Sequence, residues 1–72
     1  MKQMSKEVSR KRGEAFPAFV TRVLVTMEIG GFNFADTPNG TMCRNCFASA
    51  SECNLVTLVR ESGCYNCAAV QS

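Results

Sequence analysis

Cysteine spacing constrains this chain more than any other feature. Cys43-Arg44-Asn45-Cys46 is followed, after seventeen residues, by Cys64-Tyr65-Asn66-Cys67. Two C-x2-C pairs at that separation read as one tetrahedral metal site. Each pair turns two sulfurs toward a common point, and the intervening segment can run out and back as a hairpin. Eight residues of strand at ~3.3 Å each reach about 27 Å, so the spacer is long enough without being slack. With four thiolates and no histidine in the chain, Zn(II) in a closed structural site is the expected cofactor, one per chain, with iron as the lesser candidate.

The metal would have much to hold. Seventy-two residues make one domain that buries only ~60% of its unfolded surface, so a small chain of this kind needs a staple. A fifth cysteine, Cys53, makes the count odd, which argues against a disulfide-framed secreted domain. Residues 15–29 are apolar, but Arg22 and Glu28 interrupt them and no secretory cleavage signal follows. The uncharged run is also too short to span a bilayer. The expectation is a reducing cytoplasm, of a cell or of a host, and no membrane.

The formal charge of +2 is unevenly spread. Residues 1–14 carry five basic side chains against Glu7 and Glu14, giving +3, whereas the rest carries Arg22, Arg44 and Arg60 against four acids, giving −1. Residues 1–14 therefore read as a basic, flexible arm with room for a short helix from Ser5 to Arg12, and residues 15–72 as the folded domain. Removal of residues 1–12 is expected to leave the fold intact.

Residues 18–29 fit two periods. Alternation puts Phe19, Val23, Val25 and Met27 on one face of a strand. A 3.6-residue period instead gathers Phe16, Phe19, Val20, Val23, Leu24 and Met27 into a helical stripe, with Pro17 at its start and Gly30-Gly31 at its stop. Six of the twelve residues are β-branched, which favours a long strand over a helix. Phe32-Asn33-Phe34 reads as a short strand and residues 36–40 as a turn cluster. Residues 47–53 read as an exposed loop, and residues 54–60 as a strand with Val56 and Leu58 on one face.

The segment Thr41-Met42-Cys43-Arg44-Asn45-Cys46, and the strand that runs into Cys64, resemble the zinc-ribbon superfamily over residues 41–68. The resemblance implies a small, metal-stabilised, mainly β fold in which two knuckles at hairpin ends share one zinc. It further implies Cys43, Cys46, Cys64 and Cys67 as the ligands of a tetrathiolate site. Phe47 and Ala68 stand where such knuckles commonly carry glycine. Cys53 is then a spare: a small buried hydrophobe, a substitute for one knuckle ligand, or a link to a second chain.

Catalysis is not expected. The chain has no histidine for acid–base work, no phosphate-cradling glycine loop, and a tetrathiolate ion would have no open position. A thioredoxin-like redox pair lacks the βαβ context around a single C-x2-C. The expected role is a small interaction module that docks on a transcription or translation machine. Lys2, Lys6, Arg10, Lys11, Arg12, Arg44 and Arg60 are the candidate contacts to RNA or DNA, with Tyr65 and Phe47 as stacking surfaces. The alternative is an inhibitor or adaptor, for example viral or phage-borne, that binds protein or a second copy of itself through Phe19, Val23, Val25 and Met27. A secreted peptide precursor cut after Gly31 is a remote third.

Overall fold

The longest apolar segment is a helix, not the strand that its β-branched content favours. A computed structural model describes residues 5–49, 52–61 and 63–65, and in it α1 spans Phe16–Gly30. Pro17 sits in the first turn, where its missing N–H costs nothing. The two threonine hydroxyls are absorbed locally: Thr21 Oγ1 donates to the Pro17 carbonyl and Thr26 Oγ1 to the Arg22 carbonyl. Gly31 ends the helix in the left-handed region, at φ 73°. Its N–H and that of Phe32 both donate to the Met27 carbonyl, a Schellman-type close. The stripe of period 3.6 wins because it has a surface to bury against.

That surface is a four-stranded, wholly antiparallel sheet in the order β1-β4-β2-β3, built from β1 (Lys6–Ser9), β2 (Phe34–Thr37), β3 (Gly40–Cys43) and β4 (Leu55–Val59). A second, one-turn helix, α2 (Arg44–Phe47), lies between β3 and β4. Because β1 and β2 both run antiparallel to β4, they are parallel to each other, with α1 as their connection. The same holds for β3 and β4 around β2, joined by α2. The chain thus forms two interlocked split β-α-β units. This arrangement brings the ends of β3 and β4 to one side of the molecule, with Cys43 and Cys46 at the first and Cys64 after the second.

One sheet face carries Val8, Val56, Leu58, Ala35 and Met42, all buried. Against it pack Phe19, Val20, Val23 and Met27 of α1, together with Phe32, Phe47 and Cys53. Among the described residues, Thr37 is the buried polar one there. Its hydroxyl donates to the Gly40 carbonyl and accepts from the Asn39 N–H across the Pro38-Asn39 turn. The β4 strand alternates as expected, with Val56 and Leu58 inward.

Three further expectations need correction. Residues 6–9 are neither helix nor free arm: Val8 lies opposite Val56 in the sheet and is buried. A single inward valine between polar neighbours left too faint an alternation to mark this strand. Phe32 closes α1, and β2 begins only at Phe34. The residues after the first C-x2-C are not all exposed either, since Phe47 and Cys53 enter the core.

Candidate metal centre

Cys43 is the last residue of β3 and the cap of α2, and Cys46 lies within that single turn. A three-residue offset on one helical turn sets both side chains on the same side. Cys64 arrives after β4. Its sulfur lies 3.4 Å from Cys43 Sγ and 3.3 Å from Cys46 Sγ, and it accepts a hydrogen bond from the Cys43 N–H at 3.2 Å. The three sulfurs all lie within 4.8 Å of one another, and all three residues are half-buried. A tetrahedral zinc with Zn–S bonds of ~2.3 Å sets sulfur–sulfur edges of about 3.8 Å, a few tenths of an ångström longer than the two contacts made by Cys64. Three soft donors at this spacing are compatible with a thiophilic metal ion.

Cys67 lies outside the described residues. Cys53 stands apart from the cluster, among the described residues, in the hydrophobic core. Desolvation by burial pushes its thiol pKa up, against a smaller opposing effect of Arg10. The site is fastened to the core from below. Phe47, next to Cys46, is fully buried, and Arg44 Nη1 pairs with Glu28 Oε1 at 2.5 Å, tying α2 to α1.

Three of the four arginines offered as nucleic-acid contacts also have partners within the fold. Arg10 donates to the Glu14 carbonyl, pairs with Glu52 at 3.3 Å and lies over the Phe16 ring. Arg60 donates to the Gly30 carbonyl and lies over the Phe32 ring, a cation at the C-terminal end of α1 where the helix dipole favours one. Arg44 is engaged with Glu28, as above. Lys6 on β1, and Lys11 and Arg12 in the β1–α1 connection, are exposed. Lys2 lies outside the described residues.

The candidate protein-contact face is largely the core face. Phe19, Val23 and Met27 are 0% exposed, and of the four only Val25, at 50%, reaches the surface. Ile29, one turn on and 81% exposed, extends it. Of the two aromatic stacking candidates, Phe47 is buried and Tyr65 is exposed, with its ring against Gly40.

One polar cluster escaped the sequence reading altogether. Arg22 grips both oxygens of Glu14, at 2.8 and 3.1 Å, and also donates to the Ser9 carbonyl; Glu14 in turn accepts from the Lys11 N–H. These bonds, the Arg22 side chain foremost, lower the Glu14 pKa to about 2. Eight residues separate the pair, a spacing with no local signature.

Among the described residues, no helix is long and apolar enough to cross a membrane. No family model matches the chain, and neither a curated protein nor a solved structure is found to be similar to it.

Proposed function

We propose that this chain is a non-catalytic, zinc-stapled interaction module of the cytoplasm that docks on a nucleoprotein machine, with Cys43, Cys46, Cys64 and Cys67 as ligands. The observation that carries the metal reading is the convergence of three sulfurs from two separate C-x2-C segments. Cys67 enters by its place in the second pair. Four thiolates would complete the coordination of Zn(II) and leave no position for substrate. Structural zinc in finger-like sites supplies ~10–16 kcal/mol of apparent binding energy at neutral pH, enough to decide whether so small a domain folds. The docking surface in this reading is the exposed basic group Lys6, Lys11 and Arg12, together with Lys2. Three or four phosphate contacts support weak, salt-sensitive binding that a partner protein would reinforce.

A second reading, a protein-binding adaptor or inhibitor, is favoured by one observation: Val25 and Ile29 lie exposed a helical turn apart on the outer face of α1.

Native mass spectrometry tests the metal, and unfolding in urea with chelator and reductant tests its role. One zinc per chain and loss of the cooperative transition on chelation are expected. A metal-free chain that unfolds with an unchanged midpoint would sink the reading. Fluorescence anisotropy with generic RNA and DNA tests the docking surface, and an absence of association even at low ionic strength removes the nucleoprotein role.

A further inference from the structure

We infer that Asn39 is a self-modifying site: its side-chain amide closes onto the Gly40 backbone nitrogen and, on hydrolysis, leaves an isoaspartyl link that loosens the β2–β3 hairpin. The inference goes beyond the proposed function and needs no bound metal. Five asparagines occur in the chain, and only Asn39 precedes a glycine. Ring closure brings the nitrogen of the following residue onto the asparagine side chain, and a β-carbon on that residue crowds the approach. Glycine has none, whereas phenylalanine, leucine or cysteine follows the other four. The hairpin itself demands this glycine, since Gly40 sits at φ 111°. Asn39 is exposed in the turn, and among the described residues no hydrogen bond holds its side-chain amide.

Water is the only co-reactant, and no electrons change hands. The Gly40 nitrogen gives up its proton and attacks the side-chain carbonyl carbon of Asn39. The bond from that carbon to the amide nitrogen breaks, and ammonia leaves with the proton, so a cyclic imide remains. Water then opens the ring. Attack at the side-chain carbonyl gives aspartate on an unaltered backbone. Attack at the main-chain carbonyl gives isoaspartate, in which the backbone runs through the side chain and gains a methylene. Thr37 spans that link, for its hydroxyl accepts from the Asn39 N–H at 3.1 Å and donates to the Gly40 carbonyl at 2.9 Å. One hydroxyl that meets both groups across the normal link cannot meet both across a longer one. The displaced Gly40 also packs against the Tyr65 ring. The same clamp restrains the main-chain rotation that ring closure needs, so the folded chain converts more slowly than the unfolded one.

The test ages the full chain at mildly alkaline pH, in native buffer and in urea, with reductant present. Isoaspartate is measured by enzymatic carboxyl methylation. Fragmentation of the tryptic peptide 23–44, which holds both Asn33 and Asn39, then places it. The expected result in native buffer is isoaspartate at Asn39 before any other asparagine, with faster conversion in urea. Asn39→Gln, whose longer side chain closes the ring poorly, should stay unmodified. Asn39→Asp carries the new charge on a normal backbone, and the aged chain should unfold at lower urea than this variant. An Asn39 that converts in urea but not in native buffer, or another asparagine that converts first, overturns the inference. So does an aged chain, rich in isoaspartate, whose urea midpoint matches that of Asn39→Asp.

Discussion

Single residues in this chain are most informative where a charge has been put to structural use. The carboxylate of Glu14, clamped by Arg22 and by the Lys11 N–H, has its pKa lowered from 4.5 to about 2. A folded-state pKa below the unfolded value means that the clamp stabilises the fold fully above pH 4.5, and that this contribution is lost as pH falls toward 2. Glu14→Gln is therefore expected to lower the urea midpoint at neutral pH. The gap to wild type should stay constant from about pH 7 to 5 and narrow only below 4.5. Comparing the two proteins cancels the acid sensitivity of the thiolate site, which both share. A gap that closes above pH 5 would show that Glu14 is not the group involved. Cys53 makes the opposite point, since its thiol is packed rather than used. On the proposed metal reading, Cys53→Ala is expected to leave the metal content unchanged and to cost under ~2 kcal/mol, whereas Cys43→Ser should abolish cooperative folding.

At the scale of elements, α1 shows what a sequence can and cannot reveal. Its stripe, its Pro17 start and its glycine stop were all legible, and so was the alternation of β4. The choice between helix and strand was not, because β-branched content weighs intrinsic preference, whereas the outcome turned on whether Phe19, Val20, Val23 and Met27 met a sheet face. Gly31 adopts φ 73° with open space around its α-carbon, so the penalty for a side chain there is conformational and not steric. Gly31→Ala should cost ~1 kcal/mol, and Gly31→Asn less, because asparagine tolerates the left-handed region. Equal losses for the two variants would point to a contact instead. Gly30, one residue earlier, differs in kind: a β-carbon there would run into the Phe32 ring. The coupling of α2 to the core is a further element-scale property. Phe47→Ala removes a fully buried ring beside Cys46, so it should cost ~3–5 kcal/mol and, on the proposed metal reading, weaken metal retention against a chelator as well. A variant that is destabilised yet keeps wild-type zinc affinity would show the knuckle to be independent of the core.

For the whole molecule, the question is whether the basic N-terminal stretch is a contact surface, a structural element or both. The C-x2-C pairs announced the sulfur cluster because ligand spacing is local chemistry. The sheet order was not legible, since β1 depends on pairing with β4 across nearly fifty residues, with Val8 opposite Val56 as its one buried side chain. That pairing changes what truncation should do. Burying Val8 is worth ~1.5–3 kcal/mol, a large share of the ~5 kcal/mol expected of a small domain. Deletion of residues 1–12 would also remove the Arg10 N–H bond to the Asn54 carbonyl and expose the edge of β4. The truncated chain is thus expected to unfold at markedly lower urea, or to self-associate through the bared strand. Lys6→Gln, Lys11→Gln and Arg12→Gln together should leave the midpoint within ~0.5 kcal/mol, because these side chains are exposed. They should also flatten the salt dependence of RNA or DNA binding by up to three phosphate contacts. The two experiments separate the roles: truncation reports on the sheet, and the triple substitution reports on the surface. If the triple variant unfolds, these basic side chains are structural after all. If it folds and binds nucleic acid with an unchanged salt slope, the basic group is not the docking surface.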